Sequence, residues 1–153
     1  MEARRDMMVK VPVREQEPQV RAANFEEVCL GYNKEEAMAE AERCLNCKNA
    51  KCIAGCPVAI DIPAFIEEVK KGEIEEAARV IAKASALPAV CGRVCPQETQ
   101  CEGQCIRGIK GEPVSIGKLE RFVADWSREH GFVPEAPEKT NGKKVAVIGS
   151  GKS

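Results

Sequence analysis

Four stretches of the chain read as helices, the first two opening on a capping residue and the last carrying a regular apolar stripe. Asn33 precedes KEEAMAEAER (34–43), whose acidic first turn suits the positive end of a helix dipole. Asp61 precedes a second helix that tolerates Pro63 in its first turn. Gly72 interrupts it, and EIEEAARVIAKASA (73–86) continues as a third helix. The fourth starts at Ser115 and runs to about His130, with Ile116, Leu119, Val123 and Trp126 on one buried stripe. The pattern predicts a mainly α fold over 33–130. Residues 1–32 read as a mixed, charged N-terminal arm in which Pro12 and Pro18 argue against one long helix. GFVPEAPEKTNG (131–142) reads as a linker, and KKVAVIGSG (143–151) as a short buried strand entering a glycine turn.

Composition changes this picture in one respect. Leu, Ile, Val and Phe make up only 33 of 153 residues and aromatics 4%, so the apolar core of this single-domain-sized chain is thin. Nine cysteines partly fill the gap, and eight of them lie between positions 44 and 105. Such a chain is expected to fold around something inorganic or covalent. A disulfide framework needs an oxidising compartment and normally an even set of cysteines. The odd count and the lack of a basic-then-apolar leader set that reading aside. A net charge of −1 supplies no positive field for nucleic acid, and no apolar run approaches a membrane span. The expectation is a soluble, cytoplasmic protein.

The cysteines fall into two groups, Cys44-x2-Cys47-x4-Cys52-x3-Cys56 and Cys91-x3-Cys95-x5-Cys101-x3-Cys105, and CIAGCP and CGRVCP share Cys-x3-Cys-Pro. Structural zinc favours repeated Cys-x2-Cys pairs, and only Cys44 and Cys47 fit that. Bacterial ferredoxins use Cys-x2-Cys-x2-Cys-x3-Cys-Pro, whose last cysteine serves the second of two clusters. The first group differs from that pattern by two residues in its middle gap. Two cubane clusters need eight ligands, and the eight clustered cysteines could supply them all. Glu120 complicates this count, because it sits on the flank of the fourth helix's buried stripe, where an unpaired carboxylate is expensive. It either reaches past the stripe toward solvent, Lys118 or Arg121, or binds iron.

The segments EQEP (15–18), NFEEV (24–28), GY (31–32), RCLNCKNAKCIAGCPVAIDIPAFI (43–66), LPAVCGRVCPQETQCEGQC (87–105) and PVSIGKLERF (113–122) together identify a family. The chain resembles the N-terminal iron–sulfur domain of the glutamate synthase small (β) subunit family. The same module occurs in the large subunit of NADH-dependent ferredoxin:NADP oxidoreductase and in dihydropyrimidine dehydrogenase. The resemblance implies a small helical domain of the α-helical ferredoxin type with two 4Fe–4S clusters and interleaved ligands. Cys44, Cys47, Cys52 and Cys105 would hold the first, and Cys56, Cys95, Cys101 and Glu120 the second. Cys91 is the alternative to Glu120. Dehydrogenase-type relatives carry Gln at the Glu120 position, which favours the synthase or transhydrogenase side. The resemblance further implies an electron-transfer module, itself not catalytic, in an oligomeric NAD(P)H-dependent flavin oxidoreductase. Its partners would be the large (α) glutamate synthase subunit or another redox protein, and its own FAD- and NAD(P)H-binding half. A zinc-stabilised interaction module and a ferredoxin:NADP transhydrogenase are the competing readings.

The last residues bear on that flavin half. AVIGSGKS (146–153) satisfies a relaxed Walker A pattern, but no helix follows Lys-Ser to complete a phosphate loop. Gly149-Ser150-Gly151 reads instead as the opening of a dinucleotide-binding β-turn-α unit, so 143–153 is expected to begin a truncated Rossmann-type FAD domain with Gly149 and Gly151 at the cofactor. Cys29 reads as a small buried hydrophobe, Trp126 as packing, and His130 as a cation at a helix C-terminus.

Overall fold

In the computed structural model, which describes residues 6–136, 139 and 141–146, seven helices and one two-stranded sheet follow the order β1 (Arg14–Glu15), α1 (Pro18–Arg21), β2 (Cys29–Gly31), α2 (Lys34–Ala41), α3 (Lys51–Ala54), α4 (Ile62–Lys71), α5 (Ile74–Ala82), α6 (Pro88–Val94) and α7 (Ile116–Glu129). The local chemistry accounts for the longer elements. Asn33 and Glu36 form a reciprocal capping box at the start of α2. The Asp61 carboxylate accepts from the Ala64 amide at 3.3 Å to start α4, which closes on Gly72 at φ +82°.

The helices bury one stripe each. On α4, Ile62, Phe65, Ile66 and Val69 are buried, and on α5, Ile74, Ala77, Ala78 and Ile81 repeat the same spacing. They pack together, α2 covers α4, and α7 lies against α5 and α6. The predicted stripe on α7 is buried at Ile116, Leu119 and Val123, whereas Trp126 is only partly covered and stacks on His130 at 4.1 Å. The predicted helices are present, slightly shorter at their C-terminal ends: the third stops at Ala82 and not at residue 86.

Three features were not read from the pattern. Within residues 6–32, Arg14 pairs with Gly31 and Glu15 with Cys29 in an antiparallel ribbon, and α1 starts at Pro18. The cysteine-bearing segment 88–94 is helical, with Pro88 at its first turn. The third concerns the start of α7. Ser115 stands at its N-cap without a side-chain cap bond, and distant buried carboxylates do the work. Glu40 Oε1 accepts from the Ser115 amide at 2.9 Å, and Glu102 Oε1 from the Gly117 amide at 3.2 Å. Anionic acceptors satisfy orphan amides at the positive end of the helix.

Glu40 also anchors the most buried polar group of the fold. Its carboxylate meets Arg43, both side chains fully buried, and its Oε2 accepts from the Val11 amide at 2.7 Å. Arg43 donates onward to the carbonyls of Met7, Glu112 and Pro113. One ion pair therefore ties the N-terminal segment, the end of α2 and the approach to α7 into one unit. At the other end of the chain, residues 143–146 form no strand and Val145 is exposed. Gly149 and Gly151 lie outside the described residues.

Candidate metal centre

The cysteines come from five short segments brought together by the helix packing. Cys44 follows the end of α2, Cys52 lies on α3 and Cys56 just after it. Cys47 follows Asn46, whose φ of +46° turns the chain between two thiols. Cys91 is on α6 and Cys95 caps it, while Cys101 and Cys105 bound a 3₁₀ turn at Glu102–Gln104.

Cys44, Cys47, Cys52 and Cys105 line one cavity, closed on its inner side by Ile62, Ile66, Val114 and Ile116. The wall is almost wholly apolar, and the thiols respond to it. Burial pushes Cys52 up to about 11, with Cys105 and Cys44 adding to the effect. It raises Cys44 as well, again with Cys105 and Cys47 as neighbours. Cys44 and Cys52 are thereby biased toward the neutral thiol, a state that a bound cation would reverse.

The other sulfurs gather elsewhere. Burial raises the Cys95 thiol, with Cys91, Glu120 and Cys56 acting on it in turn. Cys101 is pushed up to about 12 by burial and then by Glu102, with Cys56 and Glu120 also contributing. Cys56 and Glu120 are thus near enough to act on the charge of both Cys95 and Cys101, and Cys91 on that of Cys95. Glu120 is the anomaly there. It is 7% exposed, its Oε1 has no hydrogen-bond partner, and burial alone pushes its carboxyl up to about 7. A buried carboxylate oxygen without a donor costs about 1–3 kcal/mol or more, so its position asks for a cationic group.

Among the described residues, no three His, Cys, Asp or Glu side chains converge closely enough to hold a single metal ion. Cys29 belongs to neither set. It is half-buried under the ammonium of Lys118 at 3.9 Å. His130 holds the Trp126 carbonyl through Nδ1 at 2.9 Å, at the C-terminus of α7.

The sequence reading passed over three glycines, one in each Cys-x3-Cys gap. A Cβ on Gly55 would come within 2.8 Å of the Gln100 carbonyl, on Gly92 within 2.7 Å of the Arg121 amide, and on Gly103 within 2.5 Å of the Glu98 carbonyl. Each therefore lets a thiol-bearing turn press directly on the backbone of another segment. The recurring glycine inside the gap was the signal available. Arg107 is a second omission: its Nε donates to the Arg43 carbonyl at 2.8 Å, tying the residue before Cys44 to the turn after Cys105.

Residues 21–132 match the family model for dihydropyrimidine dehydrogenase domain II, 4Fe-4S cluster. The chain is 41% identical over 133 residues to the glutamate synthase [NADPH] small chain of Escherichia coli (strain K12), covering 86% of this chain and 28% of that protein. It is 35% identical over 134 residues to the corresponding small chain of Azospirillum brasilense, covering 86% and 28%. The NAD-dependent dihydropyrimidine dehydrogenase subunit PreT of Escherichia coli (strain K12) is 37% identical over 127 residues, covering 83% and 31%. The chain thus spans under a third of the length of these curated relatives. The family model covers well over half of the chain, including every clustered cysteine and Glu120, and on that ground the protein belongs to the dihydropyrimidine dehydrogenase domain II family of 4Fe–4S domains.

Proposed function

We propose that this chain is an electron-relay module holding two 4Fe–4S clusters, one on Cys44, Cys47, Cys52 and Cys105 and the other on Cys56, Cys95, Cys101 and Glu120. Bound there, the clusters would supply one-electron storage at potentials tuned by their surroundings. The protein's own part is to bind and insulate. Ile62, Ile66, Val114 and Ile116 keep water from the inner side of the first site. The raised thiols release their protons when the clusters assemble. The interleaving of Cys56 and Cys105 between the two sets makes each site depend on both cysteine groups.

The observation that carries this reading is Glu120. A carboxylate oxygen buried without a donor, beside Cys56, Cys95 and Cys101, completes a fourth ligand where those three thiols leave one position open. In its longer parent the module would serve an NAD(P)H-dependent flavin oxidoreductase of the glutamate synthase small-chain type. It would exchange electrons with FAD in a domain that Gly149 and Gly151 begin, and with a large subunit or other redox partner. The domain limits of 33–130 for the cluster region and 131–142 for the linker belong to the same proposal.

Anaerobic purification followed by iron and acid-labile sulfide analysis tests it directly. About eight of each per chain, with spin-coupled EPR signals after dithionite reduction, is the expected result. One or two zinc ions without sulfide would overturn it.

A further inference from the structure

The family match begins at residue 21, yet residues 7–11 of the N-terminal arm are bound across the fold. The Met7 carbonyl accepts from Arg43 Nε at 3.2 Å, and the Met8 carbonyl from the Glu112 amide at 2.8 Å. The Lys10 amide donates to Glu112 Oε2 at 2.7 Å, and the Val11 amide to Glu40 Oε2 at 2.7 Å. These bonds fix the backbone on both sides of Lys10, so its side chain starts from a set position. Its ammonium donates to Glu102 Oε2 at 2.8 Å, 92 residues further along the chain.

Glu102 joins two parts of the second site. It is 7% exposed, it directly follows Cys101, and its Oε1 accepts from the Gly117 amide at 3.2 Å. Gly117 lies on α7 one turn before Glu120. One carboxylate therefore clamps the turn that bears Cys101 to the helix that bears Glu120. Among the described residues, no other ion pair reaches Glu102. Paired with Lys10, the carboxylate adds little net charge to its surroundings. Left alone in a buried position it would oppose any electron added nearby, because charges act more strongly in a low dielectric. Local net charge is one of the levers that set the reduction potential of an iron–sulfur cluster.

Resting on the two-cluster reading above, we infer that Glu102 is a positioning residue of the second site and that Lys10, supplied by the N-terminal arm, is its counter-ion, the pair setting both the seat of Cys101 against α7 and the potential of the cluster held there. Anaerobic potentiometric EPR on the full chain tests this in the wild type, Lys10→Met, Lys10→Arg and Glu102→Gln, with iron and acid-labile sulfide measured on each. The Lys10 side chain is 30% exposed and its substitution by Met keeps the apolar stem, so that variant is compatible with the fold. Lys10→Met should keep all its iron and lower the reduced-to-oxidised ratio of one signal at least threefold at fixed ambient potential. Glu102→Gln, which keeps a carbonyl oxygen for the Gly117 amide, should raise the same ratio at least threefold. Threefold corresponds to about 28 mV, at about 59 mV per tenfold change for one electron. Lys10→Arg, which restores the cation, should stay within about twofold of the wild type. Opposite signs in the two charge-removing variants are what a merely structural role would not produce. Loss of iron from Glu102→Gln would support the positioning role, and the two Lys10 variants would then decide the counter-ion role. Shifts of the same sign, no shift in Lys10→Met, equal shifts in both signals, or a Lys10→Arg that behaves as Lys10→Met would overturn the proposal. A wild-type chain without iron and sulfide would instead defeat the cluster reading itself, and this inference with it.

Discussion

Gly92→Ala sets two principles against each other at one atom. Gly92 is inside α6, where Ala is favoured over Gly by about 1 kcal/mol, so local propensity alone predicts a more stable protein. The packing predicts the opposite. The new methyl would stand 2.7 Å from the Arg121 amide nitrogen and 2.8 Å from its Cα and Cβ, where ordinary contact begins at 3.4 Å. None of those atoms belongs to a flexible side-chain end, so α6 must retreat from α7 by roughly 0.7 Å, the difference between 3.4 and 2.7 Å. Overpacking of this kind costs about 1–3 kcal/mol, and backbone contacts belong at its upper end. Offset by the propensity gain, the net destabilisation is about 2 kcal/mol. For a chain of this size that lowers Tm by about 4–8 °C. The retreat also carries Cys91 and Cys95 away from Glu120, so on the two-cluster proposal the EPR signal of one cluster should broaden or fade while the other is kept. Gly108→Ala is the matched control, because a Cβ there meets Pro113 at an ordinary 3.6 Å. Calorimetry and EPR on both variants decide the matter. If Gly92→Ala is as stable as the wild type with two unchanged signals, the α6–α7 contact does not position the second site.

The buried ion pair makes a sharper stability prediction: Glu40→Ala leaves Arg43 charged and fully enclosed, and should cost about 3–5 kcal/mol by denaturant unfolding. A loss under about 1 kcal/mol would show that water or another acceptor reaches the guanidinium. Glu27, held below its ordinary value of 4.5 by the hydrogen bond from Arg93, contributes stability that is present above that value. This contribution is lost as pH falls through the lower folded value, so Glu27→Gln should flatten the acid limb of the stability–pH curve, and an unchanged limb would contradict the assignment. Removal of iron by anaerobic chelation should lower Tm and speed amide exchange across 91–105, since each thiol set joins distant segments; an unaltered melting curve would mean the helices hold the sites open unaided.

The helices were legible because their signals are local. Asn33, Asp61 and Gly72 act on residues within one turn, and the stripes on α4, α5 and α7 need only a 3.6-residue period. What escaped the sequence depends on distant partners. No spacing rule announces that Glu40 and Glu102 cap α7, since they come from 75 and 15 residues away. The α6 segment PAVCGRV is short, lacks a side-chain cap and leaves Val90 and Val94 exposed, so its periodicity was too weak to separate from a loop. Trp126 fell on the expected stripe, yet it packs only on the edge of the core and its ring stacks on His130, because the stripe outruns the helices that pack on it.

The metal centre is where local rules are broken most densely, and that pattern is itself informative. Thiols raised by burial, a carboxylate with an orphan oxygen and three glycines pressed against foreign backbone all occur within the two cysteine groups or on the helix face beside them. Each is a cost that a self-sufficient helical domain would have no reason to carry. On the two-cluster proposal one kind of occupant would relieve them all: a polynuclear cation would take the thiol protons, give Glu120 Oε1 a partner, and use the close approach that the glycines permit to draw five segments onto two centres. The thin apolar core follows from the same design, since bonds to iron would replace part of the burial that a chain with more Leu and Phe would otherwise need.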